Sequence, residues 1–272
     1  VYTVKVAARG SGEAYTDLYT IENGVSLFGG YDATFSESAR NTTTNETLIQ
    51  AQNESGIIIK EITSPTVVNG LTIKGAESLL TTVAVDIIDA TSNLTLDNCI
   101  IYGGKQTNDH TTYGVRIRSS NSDFQHWNPV IKNITIYGGD ASSSVTGSSV
   151  GMYVANANLS SVNNLTVQGG NAAYYSYSMQ SVNSYIEASS SVFKSGTSTL
   201  KDSIAIEADG GSLNISYSTV EAGNAPIATG RSVGIASPYD SPVPIKSLHV
   251  QNSTISTGLG DSLNAGIAVT IQ

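Results

Sequence analysis

Cysteine occurs once in these 272 residues, at Cys99, so no internal disulfide can form. The residue opens an apolar stretch and reads as a small buried hydrophobe rather than a reactive thiol. Basic residues are also few. Thirteen Lys and Arg stand against 22 Asp and Glu, giving a net charge of −9 with no basic cluster to offset it. That balance opposes phosphate backbones and anionic headgroups, so no nucleic-acid partner is expected. No apolar run reaches the ~18 residues of a membrane-crossing helix, and no membrane insertion is expected. The sequence opens at Val1 with neither Met nor a basic-apolar leader, which suggests a processed or trimmed protein. Charged residues amount to only 13%, against 39% hydrophobic. Ser, Thr, Asn and Gly dominate the rest, as expected of strands that bury one face between turns of small polar residues.

One phrase organises this composition. It is clearest at Asn133-Ile134-Thr135-Ile136-Tyr137-Gly138-Gly139 and recurs around the central residues Ile73, Ile101, Ile136, Val167, Phe193, Val220 and Ile255. Their separations of 28, 35, 31, 26, 27 and 35 residues are too uneven for helical repeats but suit strands joined by elastic turns. A second lane keeps step through Val85, Val115, Met152, Met179, Ile206, Ile235 and Ile267. A weaker third lies between them, at Leu94 to Leu96, Val130-Ile131, Leu159 to Val162, Tyr185-Ile186, Leu213 to Ile215 and Leu248 to Val250. Three short period-2 strands per turn with no helix between them define an all-β, single-stranded right-handed parallel β-helix. Adding Leu27 and Ile49 to the first lane gives about nine coils. The reading is one domain over 1–272, with N-terminal coils in 1–50 and regular coils in 51–272. The variable lengths follow the Gly closing each first-lane strand, at 103–112, 138–149, 169–176, 196–202, 223–231 and 258–265, and are expected to form one irregular face. A separate excursion, 121–129, carries the only tryptophan, Trp127.

Nine Asn-X-Ser/Thr sequons permit N-glycosylation and favour an extracellular, cell-surface or secreted location. An Asn turn followed by a Thr-containing strand also produces sequons automatically. Asn98, Asn133, Asn164 and Asn252 share one place in the repeat, where they could stack as an amide ladder. Glycan candidates are therefore Asn41, Asn45 and Asn53, outside the repeat, with Asn93, Asn158 and Asn214.

The segment 25–40, with Gly29-Gly30-Tyr31 and a following Phe35 and Arg40, then Thr47-Leu48-Ile49 and Val68-Asn69-Gly70-Leu71-Thr72-Ile73, resembles the opening coils of right-handed β-helix surface proteins. These are the pectate-lyase-like passenger and adhesin repeats of large secreted microbial proteins. The specific motif spans about 24–75. The resemblance implies an exported, largely non-enzymatic protein and transfers no catalytic residue.

Catalysis on such a fold would need carboxylates stacked on consecutive coils. The outward column of the second lane reads Asp86, Arg116, Tyr153, Gln180, Glu207, Ala236, Ala268, with no two adjacent acids. Asp86 beside Arg116 reads as a cross-coil ion pair worth a few tenths of a kcal/mol. His110, His126 and His249 share no spacing for a metal or a triad. The expectation is no catalytic residue, no metal, no cofactor and no enzyme. Tyr102 and Tyr137 occupy one outward position on successive coils, and Tyr174, Tyr175 and Tyr177 cluster in one variable loop. With Trp127 they form the possible binding surface, balanced against the ordinary preference of tyrosine for sheet surfaces.

Three functions are open: a non-enzymatic structural subunit of a surface filament or adhesin stalk that stacks end to end on copies of itself, a module binding glycans or host surface proteins on its loop face, and a carbohydrate-active lyase or hydrolase. The first rests on strands at both ends, from Val1 and at 266–271 with no amphipathic helix or charged cap beyond the latter, which imply either a fragment of a longer solenoid or stacking of the last coil of one copy on the first of the next.

Overall fold

A strand with one apolar face, followed by a turn of small residues, can bury that face only against the next coil of its own chain. The computed structural model, which describes residues 2–10, 12–17, 19–52, 54–120, 126–143, 145–226, 229–238, 245–260 and 264–268, winds in this way into a parallel β-helix. One sheet holds nine parallel strands in sequence order, from Tyr19–Ile21 to Ala265–Ala268. The other holds fifteen and runs from Tyr2–Ala7 to Ser247–Gln251 and Thr254–Ser256.

The expected files are in register. Ile73, Ile101, Ile136, Val167, Phe193, Val220 and Ile255 are consecutive strand partners, and the first six are wholly buried. Val85, Val115, Met152, Met179, Ile206, Ile235 and Ile267 form the matching file in the nine-stranded sheet. Cys99 is buried against this core, and desolvation pushes its thiol up to about 12.

Two expectations about the coil are corrected. Leu27, expected in the first lane, pairs with Val68 of the third, and the two lanes share one sheet, with Val130–Tyr137 and Asn158–Gln168 running through both as continuous strands. The bend between the lanes is made by one residue per coil in the left-handed region: Asn98, Asn133, Asn164, Ser190, Tyr217 and Asn252, with φ between 49° and 54°. Asparagine tolerates that conformation better than most residues, so the sequons at Asn133, Asn164 and Asn252 follow from the backbone. The amide ladder forms between Asn164 and Asn133 (2.9 Å). Asn133 then donates to Asp97, and Asn98 to Thr42, so the ladder is shorter than the sequence spacing suggests.

The second correction concerns the loops. They leave the coil as a third ladder, with Lys105–Gln106 paired to Glu77–Ser78 and single bridges linking Lys105 to Asp140, Ala141 to Ala172 and Ala172 to Ser198. Irregular structure begins only after it. The corner before this ladder brings backbones so close that a Cβ on Gly139 would lie 1.9 Å from the Gly104 carbonyl oxygen. Serine hydroxyls clamp the corner. Ser149 donates to Gly139 O (2.7 Å) and accepts from Gly170 N–H (2.9 Å), and Ser176 and Ser232 repeat the pattern on later coils.

At the N-terminal end, Arg40 ties the excursion after Tyr31 to the coil. It donates to Gly29 O (2.9 Å) and to Asn69 Oδ1, and lies over the rings of Phe28 and Tyr31. This gives a structural role to residues that carry the sequence resemblance. Among the described residues no helix is long and apolar enough to cross a membrane.

Candidate functional site

The Gly corner is also where the surface is concave. Side chains one step beyond the first-lane core residues point outward and align coil by coil as Gln50, Lys74, Tyr102, Tyr137, Gln168, Lys194, Glu221 and Ser256. The start of the third ladder forms the opposite bank, through Glu77, Lys105, Asp140, Asn171, Thr197 and Asn224. Between the banks lie glycines, whose missing side chains leave a trough open. Its wider part is a depression of about 660 Å³ lined by Gln50, Lys74, Tyr102, Lys105 and Asp140, and a second of about 310 Å³ follows in line around Gln168, Lys194 and Asn224. Seven coil spacings of ~4.8 Å make the row roughly 34 Å long.

Tyr102 and Tyr137 hold the same outward position on successive coils, as expected, with ring centroids 4.9 Å apart and planes within 8°. Each therefore covers a face of the other, and the Lys74 ammonium sits over Tyr102 at 5.8 Å. The trough receives ring edges and phenol hydroxyls rather than the broad face of Tyr102. Desolvation raises the Tyr102 phenol, so it stays a neutral hydrogen-bonding group across the physiological range. Lys105 pairs with Glu77 (3.5 Å) and Lys194 with Glu221 (2.8 Å), leaving the floor nearly neutral despite the acidic chain.

The other aromatic candidates lie elsewhere. Tyr174 and Tyr175 meet edge to face at 4.6 Å, and Tyr175 leans on Tyr177 at 5.6 Å. Tyr177 faces outward from the nine-stranded sheet but is 6% exposed, in a small apolar cluster with Val150, Ile204, Val233 and Ala236 that Tyr113, Tyr153 and Tyr175 flank. Burial pushes its phenol far above the usual range. Tyr177 is thus a packing residue, because the loops fold back over that file. Trp127 sits at a different corner, where its carbonyl accepts from Asn158 N–H (2.8 Å). Of the sequon candidates, Asn41, Asn45, Asn93, Asn158 and Asn214 are described and Asn53 lies outside the described residues.

On the outer face of the nine-stranded sheet, Asp86 is more than one partner of a surface pair. Its carboxylate is 3% exposed and receives two guanidinium forks, from Arg116 (3.0 and 2.7 Å) and Arg118 (3.4 and 3.1 Å). Burial works against its charge, yet the two arginines hold its pKa below the usual value. Further along, Glu207 accepts from Gln180 (2.7 Å) and is shifted upward by burial, and Asp202 binds both the backbone and the side chain of Arg231. Asp202 and Arg231 each immediately precede a second-lane strand and are 29 residues apart, like Ile206 and Ile235, so the lane spacing could have found this clamp. Lys74 and Gln50 were within reach of the period-2 rule that found Tyr102. Among the described residues no group of three or more His, Cys, Asp or Glu is placed to hold a metal, and His110, His126 and His249 are exposed and apart.

The sequence matches no family model, and no curated protein matches it. Solved structures to which it is similar include the A-module of the mannuronan C-5 epimerase AlgE4 from Azotobacter vinelandii, with 12% identity and a TM-score of 0.36 over 99% of this chain and 89% of that one. Another is ORF18 of Geobacillus virus E2, with 11% identity and a TM-score of 0.22 over 97% of this chain and 52% of that one. Likenesses this distant identify neither a family nor an activity for this chain. The first still corrects one expectation: the chain was expected not to be an enzyme, and a structure that aligns with nearly all of it belongs to one. That expectation is withdrawn.

Proposed function

We propose that the chain binds an extended saccharide along the glycine-floored trough. The observation that carries this reading is the continuity of the row, in which each coil from Gln50 to Ser256 offers one polar or phenolic side chain to the same groove. A polymer of hydroxyl groups can be matched by donors and acceptors repeating every ~4.8 Å, whereas a compact protein partner would favour a desolvated apolar centre. An extracellular location belongs to the same proposal. Affinity electrophoresis and calorimetry against soluble polysaccharides test it: a retarding polymer should bind at least about fivefold more weakly to Tyr137→Ala and Gln168→Ala, since each removes a hydrogen-bonding group worth roughly 1 kcal/mol. Binding unaffected by both, or no binding to any polymer, overturns it.

A second reading, stacking of copies end to end, is favoured by the edges of the two sheets. Among the described residues Tyr2–Ala7 pairs on one side only, with Tyr2 and Val4 exposed, and Ala265–Ala268 likewise, with Ile267 exposed. Such edges accept another coil. Sedimentation velocity should show species that grow with concentration, and a monomer at every concentration sinks this reading.

A further inference from the structure

The Asp86 cluster carries more positive charge than its geometry requires. One carboxylate receives two guanidinium groups, so the cluster has a net charge of +1 in a chain whose total is −9. Arg116 alone satisfies Asp86, with Nε on one oxygen at 3.0 Å and Nη2 on the other at 2.7 Å. Arg118 adds longer contacts to the same two oxygens, and its side chain is 43% exposed. Among the described residues, the acids on neighbouring strands do not balance it. Asp89 is taken up by Ser120, through N–H at 2.8 Å and Oγ at 2.7 Å, and Asp97 lies with Lys132 and Asn133 on the other sheet.

The rest of the arrangement suits an anion. Each guanidinium spends one Nε–H and one Nη2–H on Asp86 and keeps three N–H donors. Arg116 and Arg118 project from one strand, Thr111–Arg118, two residues apart and so roughly 6.6 Å along it. Tyr113 packs beside Arg116, with the guanidinium 5.8 Å from its ring centre, and Tyr153 occupies the same outward position as Arg116 on the next coil. The strand before Asp86 offers Ile58 at the matching position, which brings no competing acid. Asp86 orients both forks from below, and they meet solvent already held in place.

We propose that Arg116 and Arg118, held by Asp86, form a binding site for an oxyanion group of a ligand, carboxylate, sulfate or phosphate, on the outer face of the nine-stranded sheet. The site is independent of the trough and does not rest on a saccharide filling it. Arg118 is the residue to vary, because Arg116 is half-buried and holds Asp86 by itself.

Thermal unfolding and calorimetry with sodium succinate, sulfate and phosphate, each against sodium chloride at equal ionic strength, test the site. The intact chain should be stabilised saturably at millimolar concentration by at least one of the three, and a binder's apparent Kd should rise about fivefold or more in Arg118→Gln, with Arg118→Lys in between. Preference for succinate would mark a carboxylated ligand, and preference for sulfate or phosphate an ester. Both melting curves without anion should coincide within a few degrees, and if Arg118→Gln proves unstable, Arg118→Lys carries the comparison. Equal stabilisation of the intact chain and Arg118→Gln overturns the proposal as general exclusion of anions from the surface, and so does the absence of saturable binding by all three.

Discussion

Removing the Asp86 carboxylate should expose how much the buried charge cluster contributes to the fold. In Asp86→Ala the two guanidinium groups face one another with nothing between them. Arg116 is the group in difficulty, since its side chain is only 24% exposed. Breaking a buried pair by deleting one partner typically costs about 3–5 kcal/mol, and the remaining access to water puts this case near the lower end, about 3 kcal/mol. Arg118 is 43% exposed, so its own contact is screened, and Arg118→Ala should cost under about 1 kcal/mol. Urea unfolding followed by circular dichroism at pH 7 would read both differences. The pH dependence supplies a second check. Burial opposes the charge on Asp86, but the arginines hold its folded pKa below the roughly 3.9 of an unfolded chain. Its contribution is therefore fully present above the unfolded value and is lost as pH falls through the folded one. The gap between the intact chain and Asp86→Ala should stay constant from pH 7 to 5 and narrow only as pH falls below the unfolded value toward the folded one. A loss under about 0.5 kcal/mol at pH 7, or an Arg118→Ala loss equal to that of Asp86→Ala, would refute the argument.

Two further outcomes follow from local geometry. Gly139→Ala forces a Cβ against the Gly104 carbonyl and must prise two coils apart, so it should cost about 1–3 kcal/mol and lower the melting temperature by several degrees, whereas Gly10→Ala, whose nearest neighbour would be the Glu13 side chain at 3.7 Å, should melt like the parent. Equal melting of both would show that the coil spacing yields. Expressed in a glycosylating host, Asn41 should carry sugar and Asn45 should not. Asn41 is exposed and uses only its Oδ1, accepting from Thr43 and Thr44, while the Asn45 amide nitrogen donates to Ala39 O and Gly30 O. A glycopeptide at Asn45 would count against reading acceptor choice from this geometry.

The sequence by itself determined the coil: its two main core files and their register from Ile73 and Val85 onward. It could do so because inward direction depends only on strand periodicity and on the return of the same residue type one coil later, both visible in the linear order at Ile101, Ile136 and Val167. The outward neighbours Tyr102 and Tyr137 were legible by the same rule. What that rule could not supply was where the alternation breaks. Tyr177 lies two residues before the inward Met179, yet it joins the outer cluster with Val150 and Ala236, where the loop holding Tyr174 and Tyr175 packs against it. Left-handed bends at Asn133 and Asn164 fused two lanes into one sheet because backbone torsion at a single residue leaves no periodic trace. The trough and the doubling of Arg118 onto Asp86 were likewise settled only in three dimensions. Each depends on where turns of unequal length bring the chain back, and a turn's length along the sequence does not state its path.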